Sequence, residues 1–590
     1  MQPALTPWPL RVLLGRAERE WESRHRIFDL PAGKMHHSDQ TADTTVTIGG
    51  RPVATAIGPA AGPHTQLAQN IVAGWLAGAR VFELKTVQVR DDLEIPRPCI
   101  DVEGVGYNVE WSQELRIAQS LEEYVKAAMA LQVLGGWEAL RPVIGTPGPH
   151  LFDMSVGYDL AGIRSPEMSG FISGLLDATA VIDALRPEIP EPFAEFREAA
   201  FPSRVVGGVT LSTFHGCPPD EIEAIARHLM IEYGLDVVVK LNPTLLGVDG
   251  VAGILRRLGY DAVVLDPDAF AADLQYERAL EMITSLRSFA VGHGRSLGIK
   301  LTNTLVVRNT RDRLPGDAMY LSGKPLHVIA VTLLDRLVGD LDGLLGVGPE
   351  PGPIPVSFSA GVDRDNVTAA VALGMAPVTM CTALLKPGGY GNLSGMLHVL
   401  SRDMHEGGCP SLSDLVRLRD EAARQAGHRD AVAAYAAALD GEAGARRYGL
   451  AAATPKLREV DRTLETWDCV SCNLCVTVCP NDAMLHLATP EGAGMTEKWQ
   501  YFCLAELCND CGNCTTFCPE WGDPSRVKPR LFLDREAFVA DGGPGYLLVG
   551  KGGEWTMEVR EPAAPGDPDR LGVFLSGDEG IPVEAGDLAR

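Results

Sequence analysis

Basic charge and uninterrupted apolar sequence are both scarce in this chain. Against 77 acidic residues it carries only 52 basic ones, a formal charge of −25 over 590 residues. That excess repels nucleic acid and anionic lipid, so the expectation is no nucleic-acid partner and no membrane surface. The opening stretch, MQPALTPWPLRVLLGRAEREWESRHR, holds one short apolar run before turning densely charged, which fits neither a signal peptide nor a membrane anchor. The longest apolar window, Ala369 to Leu385, is broken by Pro377 and two threonines and reads as a buried helix running into a strand. A Gly-x-Gly-x-x-Gly between a strand and a helix is also missing: GVGPEPG (346–352) leads into a strand, so no dinucleotide site is expected.

Cysteine is what the chain has in concentrated form. Cys469-x2-Cys472-x2-Cys475-x3-Cys479-Pro480 is followed by Cys508-x2-Cys511-x2-Cys514-x3-Cys518-Pro519. Each run has the bacterial ferredoxin spacing, in which three thiolates hold three corners of a [4Fe-4S] cube and the fourth crosses to the other cube. The expected sets are Cys469, Cys472, Cys475 with Cys518, and Cys508, Cys511, Cys514 with Cys479. Zinc sites use two separated ligand pairs, and disulfides suit small secreted domains, so both alternatives fit less well. The other five cysteines, Cys99, Cys217, Cys381, Cys409 and Cys503, are scattered, as reduced thiols of a cytoplasmic protein would be. Cys503 precedes the second run, but four ligands per cube are complete without it, and it reads as packing.

Between residues 46 and 404 short apolar runs alternate with helical patterns. The runs lie at 52–58, 79–87, 151–157, 204–212, 236–242, 297–303, 354–361 and 377–383. Near-continuous apolar strands alternating with helices predict a parallel sheet covered on both faces, and eight such units predict an α/β fold, the (β/α)8 barrel. A ninth run, DAVVLD (261–266), disturbs the count and reads as an insertion. In such barrels chemistry sits at the carboxyl ends of the strands. Those ends carry GPAAGP (58–63, with Gly58 and Ala60), Lys85-Thr86, Thr213 to Cys217, Lys240, Asn303-Thr304, Gly361 and Cys381-Thr382. Small residues after the last two strands suit a phosphate, and two lysines suit the negative charge of a reduced flavin. Residues 1–45 read as a helical extension (Trp8 to Arg26) and a polar loop with solvated His36 and His37. Residues 405–462 read as a helical connector docking the cysteine module at 463–525, and 526–590 as a β-rich appendix that covers a cluster or meets a partner.

ELKTV (83–87), TLSTFHG (210–216), KLNPT (240–244) and TNT (302–304) resemble the flavin-binding strand ends of dihydroorotate and dihydropyrimidine dehydrogenases, and the latter also join such a barrel to a two-cluster module. FDMSVGYDLAGI (152–163), LSTFHGCPPDEIE (211–223), LKPGGYG (385–391) and CNDCGNCTTFCP (508–519) are similar to the selenate reductase subunits often labelled glutamate-synthase-like. The resemblance implies FMN, with Lys85 and Lys240 at its ring, Asn108 and Asn303 reaching ring or substrate, and Gly361, Cys381 and Thr382 at its phosphate. Where the relatives place a cysteine or serine as proton donor, this chain has Thr213, with Cys217 and His215 in the same loop. Cys217 ranks first as the more acidic group.

The function these readings imply is an iron-sulfur flavoprotein oxidoreductase that reduces a C=C or C=N bond of a pyrimidine-like or purine-like ring. Electrons would come from a partner NAD(P)H/FAD flavoprotein or a ferredoxin, in a hetero- or homo-oligomer. One alternative is an electron relay to a molybdenum hydroxylase. Another is a glutamate-synthase-like subunit, disfavoured by the lack of an amino-terminal glutaminase nucleophile and of a three-iron cysteine pattern in the barrel.

Overall fold

The computed structural model describes residues 5–560 except 39–41, 92, 110–111, 214–216, 351, 455–456 and 552–553, together with Leu571. Eight strands form the barrel: β1 (Ile57–Pro59), β2 (Val81–Glu83), β3 (Leu151–Val156), β4 (Val206–Ser212), β5 (Val237–Leu241), β6 (Leu297–Leu301), β7 (Ile354–Phe358) and β8 (Val378–Met380). Each overlaps one of the eight apolar runs. Neighbours pair in parallel in the order β1-β8-β7-β6-β5-β4-β3-β2. At the seam between β1 and β2 the Arg80 N–H donates to the Ile57 carbonyl at 3.3 Å. The seam is tight because Gly58 has no side chain: a Cβ there would stand 1.7 Å from the Val81 carbonyl oxygen. Gly58 therefore serves strand packing, and it lines no part of the mouth cavity. The 261–266 run forms no strand; only Leu265 bridges, antiparallel, to Val307.

Two excursions roof the carboxyl mouth. Ile100–Asp101 and Gly106–Asn108, after β2, pair antiparallel with each other. Leu305–Arg308 and Ala318–Ser322, after β6, do the same, and Ser322 to Tyr320 zips onto Gly106 to Asn108. The resulting four-stranded sheet contributes Ile100, Tyr107, Asn108 and Ser322 to the lining of the mouth.

Helix α1 (Leu10–Arg24) is a strut rather than a free amphipathic surface helix. Its preceding Trp8 donates from Nε1 to Glu506 Oε2 at 2.7 Å, while Lys126 of helix α2 (Ile117–Gly136) donates to the Trp8 carbonyl at 2.9 Å. Arg16, fully buried, pairs with Asp482 and with Glu20, both at 2.7 Å. The extension thus ties the barrel wall to the cysteine module. His36 is not solvated: it is 6% exposed, its N–H donates to the Leu76 carbonyl, and burial pushes its ring down to about 4. His37 is only partly covered.

The connector packs on the barrel rather than chiefly on the cysteine module. His327 of helix α3 (Lys324–Asp340) sits 2.8 Å from the Tyr435 hydroxyl, and the Tyr260 hydroxyl donates to the Tyr448 carbonyl at 2.9 Å. The cysteine module contributes β9 (Met484–Ala488) and β10 (Trp499–Leu504). These continue through β11 (Arg530–Phe532), β12 (Gly545–Lys551) and β13 (Glu554–Arg560) as one five-stranded sheet. The stretch after residue 526 is therefore an extension of the module's own sheet, and its REAFVAD segment is a helix, Arg535–Asp541, instead of a strand. RLGVFLSG lies outside the described residues apart from Leu571.

Candidate functional site

The barrel mouth holds an open cleft whose empty space, adjoining solvent included, is about 1080 Å³. Ten of the residues expected at a cofactor line it: Ala60, Lys85, Thr86, Asn108, Lys240, Asn303, Thr304, Gly361, Cys381 and Thr382.

Electrostatics at the mouth favour an anion. Burial pushes Lys85 down to about 8, partly offset by Glu114, and burial likewise pushes Lys240 to about 8. A negative group entering between them would favour their charged forms and raise both values. On the opposite wall the amino terminus of α3 reaches the cavity through Ser322, Gly323 and Leu326. Free N–H groups and the helix dipole both favour a phosphate there. Close backbone approach is built in. Gly361 has φ +55°, and a Cβ on it would stand 2.1 Å from the Gly323 carbonyl oxygen. The Ser322 and Thr382 hydroxyls sit 2.9 Å apart beside them. Sequence reasoning missed Ser322 and Gly323, although Ser-Gly-Lys-Pro before an apolar helix is a start signal for one.

Along the floor runs a polar chain. Asn303 donates from Nδ2 to Asn242 Oδ1 at 2.6 Å and stands 3.3 Å from Thr213 Oγ1. Asn242 in turn donates to both oxygens of Asp273, at 2.8 and 3.0 Å. The Thr213 hydroxyl donates to the Lys240 carbonyl at 2.7 Å, one shell behind the cavity wall. Cys217 is 8% exposed and does not line the cavity; burial, with Glu221, Asp159 and Asp273 nearby, pushes its thiol up to about 12. His215 lies outside the described residues. Beneath the floor, Lys300 on β6 pairs with Glu83 on β2 inside the barrel, and Glu83 also accepts from the Ala61 N–H at 3.3 Å. Neither residue was singled out in the sequence, because 217 positions separate them.

The cysteine runs fold into two sets. Cys469, Cys472, Cys475 and Cys518 line one small hollow of about 300 Å³ with Tyr501 and Lys528. Cys479, Cys508, Cys511 and Cys514 lie close enough for their charges to interact. Among the described residues no three His, Cys, Asp or Glu side chains close on a single-ion position. Cys503 is fully buried on β10, in register with Arg530 of β11. All thirteen cysteines are free of disulfides. The second set leans on the mouth. Cys99 and Ile100 donate their N–H groups to the Cys511 carbonyl at 3.2 and 3.0 Å, and Ile100 lines the cavity. Asn513 Nδ2 bridges the Leu385 and Val478 carbonyls at 2.8 and 2.7 Å. No single helix among the described residues is long and apolar enough to cross a membrane.

Residues 28–430 match the family described as oxidoreductase YgfK, N-terminal TIM-barrel domain. The oxidoreductase YgfK of Escherichia coli K12 is 40% identical over 419 residues, which cover 68% of this chain and 39% of that protein; its counterpart from strain O157:H7 gives the same figures. The chain thus spans about two fifths of the length of the curated relatives it matches. Two solved structures of DHODH from Eimeria tenella, one ligand-free and one with ferulenol, superpose with TM-scores of 0.39 at 12% and 13% identity. They cover 63% and 64% of this chain and 91% and 88% of theirs. That likeness is too slight to speak for function.

Proposed function

This chain belongs to the family of the oxidoreductase YgfK N-terminal TIM-barrel domain, and from that premise we propose an FMN and iron-sulfur oxidoreductase that reduces a C=C or C=N bond of a pyrimidine-like or purine-like ring. The observation that carries the reading is the juxtaposition at the mouth. A cavity holding two lysines and a helix amino terminus shares its Ile100 wall with the segment bonded to Cys511.

The residues fit both groups. Lys85, Lys240, Asn108 and Asn303 would hold the flavin ring. Gly361, Cys381 and Thr382, joined by Ser322 and Gly323, would hold its phosphate. Four thiols around one hollow suit a cube of irons better than a lone ion, which needs its ligands closer together. When bound, the flavin supplies exchange between one-electron and two-electron chemistry. Lys85 and Lys240 place positive charge where negative charge develops on reduction. Asn303, fixed by Asn242 and Asp273, orients a polar ring atom at the floor. A proton must reach the substrate from the 213–217 loop, directly or by water. Electrons are expected from a partner flavoprotein or ferredoxin in the cytoplasm.

The relay reading draws on one specific observation: the Thr213 hydroxyl is spent on the Lys240 carbonyl, and Cys217 does not line the cavity. Anaerobic reduction of the cofactor-loaded chain, then mixing with pyrimidines and purines while following flavin absorbance, separates the two. Rapid reoxidation by one ring supports the reductase, and Cys217→Ala and Thr213→Val then identify the proton donor. Reoxidation only by a redox protein supports the relay.

A further inference from the structure

One carboxylate stands between the mouth cavity and the second cysteine set. Glu114 is 5% exposed in its side chain and receives Arg97 Nη2 at 3.1 Å. Both its oxygens accept from Asn509 Nδ2, at 3.0 and 3.1 Å, and Asn509 directly follows Cys508. Its own N–H is held by Gln66 Oε1 at 2.8 Å. Arg97 donates from its other arm to the Cys99 sulfur at 2.8 Å, and Cys99 is the residue bonded to the Cys511 carbonyl. Burying such a pair carries a desolvation cost, and anchoring a loop could be done with neutral groups. Its charge is felt on the cavity side: of the charges acting on Lys85, Glu114 is the strongest that favours the ammonium.

We propose that Glu114 is a positioning residue shared by the two redox sites, holding the Cys508–Cys511 loop against the cavity wall and placing one negative charge beside both. The proposal rests on the flavin and iron-sulfur reading above. Its consequence is a coupled setting of both reduction equilibria. A fixed negative charge disfavours adding an electron at either site, and the buried surroundings screen it weakly. Arg97 moderates that charge from the same interface.

The test is potentiometric titration of the full chain loaded with FMN and iron-sulfur clusters, following flavin absorbance and cluster electron paramagnetic resonance separately. Glu114→Gln keeps the shape and removes the charge. The flavin and one cluster should both become easier to reduce, each by about tenfold in equilibrium constant, about 59 mV for a one-electron couple. Glu114→Asp should return most of the shift. Arg97→Met leaves the carboxylate and removes its cation, so both equilibria should move the opposite way. Asn509→Ala frees the loop but keeps the charge, and should move only the cluster. A strut with no electrostatic role would lower the melting temperature of Glu114→Gln and leave both equilibria within twofold of the parent, overturning the proposal. If Glu114→Gln loses its cofactors, an Arg97→Met shift in the same direction at both sites sustains it, and an unmoved pair sinks it. A parent chain that retains neither flavin nor iron would instead overturn the reading on which the proposal stands.

Discussion

Lys240 and Lys300 are register partners on the neighbouring strands β5 and β6. They have the same chemistry and lie one strand apart in the same barrel, yet their surroundings differ. Lys300 is 1% exposed and meets the Glu83 carboxylate, itself 3% exposed. Lys240 opens onto the cavity, where the charge influencing it most is the Cys381 thiol. A paired buried charge is accounted for within the fold. A buried charge left facing a cavity is held in place by the rest of the structure for something that enters. What separates a structural lysine from a binding one here is the partner, not the depth.

The comparison breaks most sharply under one substitution made twice. Lys300→Met strands the Glu83 carboxylate and should destabilise the fold by about 3–5 kcal/mol, seen as a lower denaturant midpoint. Lys240→Met should leave that midpoint unchanged or raise it, and weaken FMN by about 2 kcal/mol, roughly thirtyfold in Kd by equilibrium dialysis. Equal losses of stability in both variants would erase the distinction. It sharpens in the double variant Glu83→Leu with Lys300→Met, which removes both charges and should recover most of the stability lost in the single one.

A smaller effect comes with pH. Lys85 and Lys240 both titrate near 8 in the free protein, below the usual lysine value, because burial disfavours the ammonium. An anionic ligand favours the ammonium and raises both values. Affinity for FMN should therefore be full and flat below about pH 8, then fall as pH climbs through 8 toward the bound-state values. Lys240→Met should shrink that fall, whereas Lys300→Met should leave it in place. The smallest change is Thr213→Val. It removes one hydroxyl bonded to a backbone carbonyl and should cost about 1 kcal/mol in stability with FMN binding unaffected.

The eight apolar runs were legible because parallel strands buried on both faces leave little room for polar residues, and the ladder follows them. Near-continuous apolarity says nothing about which carboxylate meets which lysine: Glu83 and Lys300 become neighbours only when the barrel closes. The roof over the mouth was hidden for a related reason. Strands as short as Ile100–Asp101 and Gly106–Asn108 have no readable alternation, and the second also pairs with 320–322, more than two hundred residues away. Gly58 was counted among the cofactor-binding strand ends, whereas the close approach it permits is to β2. Cys217 was ranked on the acidity of an ordinary thiol, and burial among acidic residues removes that advantage. The cysteine runs stood out because three members of each set sit within a few residues of one another, whereas the fourth, Cys518 or Cys479, comes from the other run.

The bond from Trp8 to Glu506 spans 498 positions. During synthesis at about 5–20 residues per second, its two ends emerge some 25–100 seconds apart. Trp8 finds Lys126 early, but Arg16 must remain without Asp482 until the cysteine module has been made. Helix α1 is thus completed late, and the nascent chain carries an uncovered cationic, aromatic flank while the barrel and the connector are translated.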